Sequence, residues 1–311
     1  MTIFDRGFDP TDFEQTVDKP ENAWFRELLK YWRPAGDVDA EPQADHLRLA
    51  IRDRYLNFYR NGQSVAKVTV ISGRLEAEIH NKYVYRNKKG GQECVKISAG
   101  MFAASDGSRV CYSDGLVHDW ISEANTYAKG EKLFVDEIVA RNANVIDLEA
   151  ALPADSELWE ARSAPRMDLV AMELCGNRWK LVFWEAKLVG NPEARCRNGL
   201  PPVVGQLEPY KMWLEKNQKV VCDAYRQACS DLVKLHGIAK SLYPDKAELG
   251  QAITTVGGRD ASELGVDSQP RLIIDDRRSK TAAFERNGHL NKLRGCGLHV
   301  RMVRSEADMM L

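Results

Sequence analysis

The sequence predicts an α/β protein whose strand-forming segments fall into two groups. Between residues 47 and 112, apolar and polar residues alternate in short runs, the period of antiparallel strands with one covered face. From residue 131 onward, helical periods and apolar strand runs follow one another, which is typical of a mixed sheet packed against helices. Of the 311 residues, 44% are hydrophobic and 29% are charged, so the chain can bury an ordinary core.

Residues 1–45 form an acidic segment, with eleven Asp or Glu against five Lys or Arg. The stretch 23–32 is amphipathic and predicts one short helix, and the Pro- and Asp-rich stretch 33–45 reads as a linker. We therefore place a first boundary between residues 45 and 46.

Residues 46–114 predict a basic antiparallel meander, whose alternating runs are separated by turn pairs such as Asn61-Gly62 and Ser72-Gly73. Residues 46–100 carry eleven Lys or Arg against four Asp or Glu. Such an excess can hold nucleic-acid phosphates or can be a solvated surface, and the segment can instead serve dimerisation or partner binding. The basic residues recurring on its strands and turns are Arg48, Arg52, Arg54, Arg60, Lys67 and Arg74.

Residues 115–311 predict an α/β domain with the element order α-β-β-β-α-α-β-α-β. The expected elements are a helix at 131–146, strands at 157–163, 167–174 and 179–188, helices at about 206–216 and 218–242, a strand at 271–275, a helix at 280–293 and a strand at 298–303.

The second and third of these strands predict a hairpin that brings two carboxylates together. A two-residue loop at Gly176-Asn177, or a four-residue loop at 175–178, places Asp168 directly opposite Glu185. Uncompensated like charges at that separation are destabilising, and strand alternation puts Lys187 on the same face as Glu185. A hard cation such as Mg²⁺ would relieve the repulsion. The alternative is a structural ion pair between Lys187 and one of the carboxylates.

The segments PRMD (165–168) and EAK (185–187), joined by a turn, resemble the PD-(D/E)XK nuclease superfamily. The resemblance covers about residues 115–305 and implies an αβββαβ restriction-endonuclease-like core. It implies that Asp168 and Glu185 bind a divalent metal, Mg²⁺ or Mn²⁺, and that Lys187 orients or activates the attacking water. Pro165 departs from the pattern, since it stands three residues before Asp168 rather than beside it.

Gln206 and Tyr210 form a QxxxY pattern after the E-x-K strand, which resembles the RecB-like branch of that superfamily. The resemblance implies that both side chains help to place DNA. They are four residues apart and therefore share one helix face. Because Pro209 suits a first helical turn, we expect the pair at a helix N-terminus, where phosphates are favoured. The alternative is that Tyr210 packs and Gln206 caps the helix.

The superfamily often adds a carboxylate from the helix that precedes the strands. On a helical wheel of 131–146, Glu131 lies near the middle of the apolar face, whereas Glu137 lies to one side. A carboxylate on a core face needs a partner or a metal, so Glu131 is our candidate for a third metal ligand and Glu137 the second choice.

Several other classes are disfavoured by the sequence. Seven scattered cysteines without a CxxC pair favour a reduced cytoplasmic protein, and no iron–sulfur cluster is expected. The N-terminus has no apolar signal region and no run approaches a membrane span, so we expect no membrane association. A P-loop, a dinucleotide fingerprint and a nucleophile elbow are all missing from the sequence.

These observations lead to the hypothesis of a metal-dependent nuclease that hydrolyses phosphodiester bonds, in DNA more readily than in RNA. Relatives of that type serve restriction, repair or antiviral defence, and the sequence does not choose among these. The competing hypothesis is a non-catalytic nucleic-acid-binding or assembly subunit that retains the fold, and a homo-oligomer or a protein partner through the N-terminal region is compatible with either.

Overall fold

A computed structural model describes residues 4–8, 11–37, 45–84, 94–103, 109–153, 166–196, 198–258, 263–277 and 283–311. Within them the chain is mixed α/β, with two sheets. The predicted strand 157–163 and the predicted turn 87–92 lie outside the described residues.

The first sheet is the predicted antiparallel meander, with seven strands in sequential order. Its strands are β1 (Arg48–Arg52), β2 (Tyr55–Arg60), β3 (Gln63–Ile71), β4 (Arg74–His80), β5 (Cys94–Ser98), β6 (Met101–Ala103) and β7 (Arg109–Cys111). Asn61 and Gly62 both adopt positive φ, 46° and 67°, the conformation that a tight hairpin turn demands. The turn signals in the sequence therefore identified these strand connections.

One face of the first sheet packs against helices from the N-terminal segment and from the region after the meander. Helix α1 (Thr11–Glu14) precedes α2 (Ala23–Tyr31), which confirms the predicted amphipathic helix, and α3 (Asn81–Val84) follows β4. Helix α4 (Leu116–Asn125), which was not predicted, contacts α2 and β3, and its buried Trp120 lies edge-on to Phe102 with ring centroids 5.7 Å apart. The covered face of the meander is thus an aromatic-rich core.

The second sheet contains six strands, five of them in the order β13-β12-β10-β9-β8, with β11 beside β10. Strand β9 runs antiparallel to both of its neighbours, β8 and β10, whereas β11, β12 and β13 run parallel to their neighbours. The strands are β8 (Val145–Ala151), β9 (Arg166–Cys175), β10 (Arg178–Leu188), β11 (Leu264–Val266), β12 (Arg271–Asp275) and β13 (His299–Val303). From α5 (Glu131–Arg141) onward, the order α5-β8-β9-β10 is followed in the described residues by α6 (Pro202–Leu242), a short helix (Gln251–Gly257), β11 and β12. Without that short helix and β11 the order is αβββαβ, and its first strand is β8, which was not predicted.

The predicted helix 131–146 is too long, because α5 ends at Arg141. Asn142 leaves the helical region, with φ −125° and ψ 96°, and its amide nitrogen donates to the Ile138 carbonyl at 2.7 Å. An asparagine that satisfies the helix backbone in this way ends a helix. Val145 and Ile146 therefore belong to β8 and not to the apolar face of the helix.

The two predicted helices after β10 follow one another directly in α6 (Pro202–Leu242), and a kink at Asn217, with φ −119° and ψ 17°, separates them at the predicted position. The expectation that Pro209 occupies the first turn is wrong, because α6 begins at Pro202. Gln206 is consequently in the second turn, away from the free amides of the N-terminus.

Three more α-helices follow α6 in the described residues. Helix α7 (Gln251–Gly257) and strand β11 were not predicted, and the predicted helix 280–293 is replaced by α8 (Ala283–Arg286) and α9 (His289–Gly295). Gly288, with φ 77°, separates the last two, since a left-handed residue ends one helix before the next begins.

The two sheets share one large hydrophobic cluster, which runs from Phe4 to Val300 and includes side chains of the meander, α6 and the second sheet. Helix α4 lies just beyond the predicted boundary at 114/115 and packs on the meander side. The three predicted segments, 1–45, 46–114 and 115–311, remain a prediction. No helix in the described part of the chain combines the length and apolar character that crossing a membrane requires.

Candidate functional site

The β9–β10 hairpin has the predicted register. Cys175 pairs with Arg178 across the Gly176-Asn177 loop, and the pairing continues without a shift to Leu169 and Trp184. One further step places Asp168 opposite Glu185, and the Ala186 amide donates to Asp168 Oδ2 at 2.7 Å. The two carboxylates predicted from the sequence therefore do face one another.

Asp168 and Glu185 carry charges that the fold compensates only in part. Burial, reinforced by the nearby Glu185 carboxylate, raises the pKa of Asp168 well above its usual value. Burial also raises the pKa of Glu185, although the Lys187 ammonium acts in the opposite direction. Carboxylates whose pKa values are raised by burial and by a neighbouring charge are common at functional sites.

Lys187 is the cation of this site and is buried. Its Nζ lies 2.7 Å from Glu185 Oε1, 3.0 Å from Glu193 Oε2 and 4.0 Å from Glu131 Oε2. Although burial acts to lower the pKa of Lys187, these carboxylates, Glu185 above all, raise it overall. Lys187 therefore stays protonated at neutral pH and acts as a donor.

Glu193 was not identified from the sequence. It lies in a short 3₁₀ turn, Pro192–Ala194, which follows β10, and its backbone amide donates to the Asn191 side chain at 2.8 Å. Hydrogen bonds from Lys187 in particular lower the pKa of Glu193. The signal that could have found it is the Asn-Pro-Glu turn directly after the E-x-K strand, because such a turn folds back beside the strand end.

Of the two helix carboxylates considered, Glu131 is the one beside the site. Its Oε1 accepts from the Leu188 amide at 3.2 Å and from the Asn191 side chain, so it joins α5 to the end of β10. Glu137, in contrast, forms an ion pair with Arg277. The geometry therefore favours Glu131 over Glu137, although its carboxylate also holds the backbone.

Gln206 and Tyr210 both line the cleft but differ in exposure. Gln206 is exposed at the rim and hydrogen-bonds Glu193. Tyr210 is buried, and its hydroxyl donates to the Ala150 carbonyl of β8 at 2.6 Å. Tyr210 thus has the packing contacts that the alternative interpretation predicted, and Gln206 is the member of the pair that a ligand can reach.

A further carboxylate, Glu149, was also missed. Leu148 pairs with Leu169 and Ala150 with Met167, so Glu149 between them is opposite Asp168. Glu149 has φ 49°, a strained conformation for a residue other than glycine, and its charge contributes to the raised pKa of Asp168. Because residues 145–146 were assigned to a helix, the sequence offered no strand on which to place it.

The candidate site opens to solvent through a cleft of about 270 Å³, lined by Glu185, Lys187, Glu193, Gln206 and Tyr210, with Arg166 at its edge. Among the described residues, no three His, Cys, Asp or Glu side chains converge closely enough to hold a metal ion. The donors themselves suit a hard divalent cation, because Asp168 and Glu185 are oxygen ligands whose mutual repulsion a cation would relieve. Their raised pKa values are the observation that supports this fit.

Several predicted basic residues point inward. Arg48, Arg52 and Arg60 are buried, and their guanidinium groups bind Asp136, Asp147 and Asn125 respectively. These three positive charges of the meander therefore stabilise the fold through buried contacts. Glu173 is opposite Lys180 in the hairpin, where an ion pair would be favourable, but its carboxylate binds Arg271 at 2.9 Å.

Comparison with protein-family models, with curated proteins and with solved structures found no match to this chain.

Proposed function

We propose that the protein is a metal-dependent nuclease that hydrolyses phosphodiester bonds, with DNA the first substrate to test and RNA the second. The observation that carries this proposal is the half-buried Asp168 carboxylate opposite the buried Glu185 carboxylate. Glu185 and the protonated Lys187 beside it line an open cleft. The αβββαβ order of the second sheet supports the further proposal that its core is restriction-endonuclease-like. A restriction-endonuclease-like core is also the fold that the D…E-x-K pattern implies.

Asp168 and Glu185 would hold the cation, Mg²⁺ or Mn²⁺, with Glu131 next to them as an additional carboxylate. The cation supplies Lewis-acid polarisation of the scissile phosphate and a water of lowered pKa. Lys187, kept protonated by its carboxylate neighbours, donates to the phosphate and stabilises the negative charge that grows there. Glu193 and Gln206 hold the rim, and the Gln206 amide can orient a strand entering the cleft.

A second candidate function is a binding subunit without catalysis. The observation in its favour is that Lys187 already contacts three carboxylates, which is the arrangement of a self-contained ion-pair cluster. A structural cluster, however, has no need of Asp168 opposite Glu185, because removing one of them would lower the repulsion.

The test is a cleavage assay on circular and linear, single- and double-stranded DNA and RNA, with Mg²⁺, Mn²⁺ or a chelator. We expect cleavage that requires the metal, and a loss of about 10²–10³-fold in Lys187→Met. Asp168→Asn and Glu185→Gln should lose activity as well. Lys180→Met is the matched control, since Lys180 is an exposed lysine on the same strand.

Two results would contradict the proposal. One is that no substrate is cut under any of the metal conditions. The other is cleavage by Lys187→Met at the rate of Lys180→Met, because the ammonium would then have no part in the reaction. Binding of nucleic acid without cleavage would favour the second candidate function.

A further inference from the structure

A second and larger cleft, of about 430 Å³, lies between the meander and the second sheet. One wall consists of polar and aromatic side chains from β2 and β3, among them Tyr55, Asn57 and Ser64. The opposite wall includes Lys132 of α5, Glu149 of β8 and Arg166 of β9. A volume of this size is within the range of small-ligand sites in proteins, which is roughly 300–1,000 Å³.

Strand alternation explains why the β2 wall is polar. In YLNFYR (55–60), Leu56 and Phe58 are fully buried in the hydrophobic core, so Tyr55, Asn57 and Tyr59 lie on the opposite face. The Asn57 amide nitrogen donates to the Tyr59 hydroxyl oxygen at 2.7 Å, and the Ser64 hydroxyl donates to the Asn57 amide oxygen at 2.7 Å. These bonds fix the orientation of the amide, which preorganises the wall for a ligand.

The charges on the second wall leave the cleft cationic at its rim. The Lys132 ammonium donates to the Gly62 carbonyl at 3.0 Å, a neutral acceptor that leaves its charge intact. The Arg166 side chain is 65% exposed, and its guanidinium is 3.9 Å from Glu149, which is a loose contact. Of the acidic residues at the cleft, Asp53 is bound by Arg54 at 3.1 Å. Exposed cations beside fixed polar groups suit an anionic ligand with a polar body.

The second cleft borders the candidate site. Arg166 lines both this cleft and the one that contains Glu185 and Lys187. Lys132 and Glu149, from the wall of the larger cleft, also line a small void that reaches Asp168. A chain of linked phosphates passing Arg166 would thus enter both clefts.

We infer that this cleft holds an unpaired nucleotide of the substrate strand, next to the phosphate presented to Asp168 and Glu185; the inference rests on the proposed nuclease function. Lys132 and Arg166 contact the phosphates. The Lys67 ammonium lies 4.7 Å from the centroid of the Tyr55 ring, and a base stacks on the other face of that ring. The hydrogen-bonded wall of Asn57 and Ser64 meets the polar edge of the base. A paired base has that edge occupied, so the cleft selects single-stranded or locally opened nucleic acid.

Binding by fluorescence anisotropy tests this inference in chelator, without turnover. The probes are a labelled single-stranded DNA of about 12 nucleotides, within the usual site sizes, and a blunt hairpin duplex. Tyr55→Ala should weaken single-strand binding about tenfold, whereas Tyr55→Phe, which keeps the ring, should not. Lys132→Ala and Arg166→Ala should each lower the slope of log affinity against log salt by about 0.7.

Arg178→Ala is the matched control for Arg166→Ala. Both arginines begin a strand of the same hairpin, their side chains are 69% and 65% exposed, and both contact a single glutamate. Arg178, however, is at the turn end of the hairpin, away from both clefts. Its replacement should leave the affinity and the salt slope unchanged. Thermal unfolding of every variant confirms that it is folded.

The outcomes separate the inference from the proposed function. Cleavage by the wild type together with unchanged binding in Tyr55→Ala and Arg166→Ala overturns the inference and leaves the nuclease standing. Binding that the cleft variants weaken, without any cleavage by the wild type, supports the cleft and contradicts the nuclease. If the cleft variants lose as much affinity for the blunt duplex as for single-stranded DNA, the cleft does not select an unpaired nucleotide, and the inference is again overturned.

Discussion

Two carboxylate clusters occupy neighbouring strands of the second sheet, and they are built in opposite ways. Asp147 on β8 accepts from Arg6 Nε at 3.1 Å, from Arg52, from the Tyr225 hydroxyl at 2.8 Å and from the Leu148 amide at 2.7 Å. Its single negative charge thus has two guanidinium partners. That cluster ties the N-terminal segment, the meander and α6 to the second sheet.

The Asp168 and Glu185 cluster has the opposite balance. Several carboxylates, those of Asp168, Glu185, Glu131 and Glu193, surround the single ammonium of Lys187. Burial, and after it the Glu185 carboxylate, raises the pKa of Asp168, and burial raises the pKa of Glu185 although the Lys187 ammonium acts to lower it. The Asp147 carboxylate, in contrast, raises the pKa of its partner Arg52 despite that residue's burial. The difference teaches that compensation, rather than burial, separates a structural charge cluster from a candidate site.

The largest effect that sharpens this comparison is expected for Asp147→Ala. The substitution would leave Arg6 and Arg52 buried without their shared carboxylate, so we expect a loss of about 3–5 kcal/mol in the free energy of unfolding. Urea denaturation followed by circular dichroism measures it, through the midpoint at an unchanged slope.

Asp53→Ala is the control for this substitution, because Asp53 forms a surface ion pair with Arg54 and its side chain is 52% exposed. Asp53→Ala should lower the free energy of unfolding by less than about 1 kcal/mol. If Asp147→Ala cost no more than Asp53→Ala, the Asp147 cluster would not be the structural half of the comparison.

A smaller effect distinguishes the two buried tyrosines of α6. Tyr225→Phe removes a hydrogen bond to the Asp147 carboxylate and should cost about 1.5–3 kcal/mol, whereas Tyr210→Phe removes one to a backbone carbonyl and should cost about 0.5–1.5 kcal/mol. The same denaturation series measures both.

Tyr210→Phe also tests the role implied by the QxxxY pattern. Because the Tyr210 hydroxyl is buried against β8, we expect the cleavage rate of the folded variant to match that of the wild type. A slower rate at equal folded fraction would instead show that the hydroxyl contributes to placing the substrate.

The hairpin that carries Asp168 and Glu185 was predictable because its register depends only on local information. The Gly176-Asn177 loop fixes which residues pair, and strand alternation then assigns faces. In the same way, the Asn61-Gly62 turn fixed the connection between β2 and β3. Register propagates along a ladder, so one well-defined turn locates side chains eight or nine residues away.

The missed features depend on long-range contacts. Arg52 turns inward because its partner, Asp147, is 95 residues further along the chain, and nothing near Arg52 in the sequence indicates that partner. Glu149 was missed because the apolar spacing of α5 continues through Asn142 into β8. The end of the helix and the start of the strand therefore looked like one longer helix in the sequence. Glu193 was missed because a carboxylate in a turn is ordinarily solvated.

The smallest effect, and the one of opposite sign, is expected for Asp168→Asn. The substitution removes like-charge repulsion across β9 and β10, so in chelator at neutral pH the variant should be more stable than the wild type by about 0.2–1 kcal/mol. The raised pKa of Asp168 means that the folded wild type takes up a proton before the unfolded chain does as the pH falls. The free energy of unfolding of the wild type then rises relative to that of the variant. The difference between the two proteins therefore narrows as the pH falls from the raised pKa to the ordinary value of 3.8.

Urea denaturation of both proteins across that pH range measures this difference in the free energy of unfolding. Asp53→Asn is the exposed control, and its difference from the wild type is not expected to narrow in this way. Adding Mg²⁺ at neutral pH should reverse the order, because a cation that binds only the folded state stabilises the wild type and not a variant without the carboxylate. A variant less stable than the wild type in chelator at every pH would show that Asp168 is compensated like Asp147. The contrast between the two clusters, and with it the main support for a cation at Asp168 and Glu185, would then be lost.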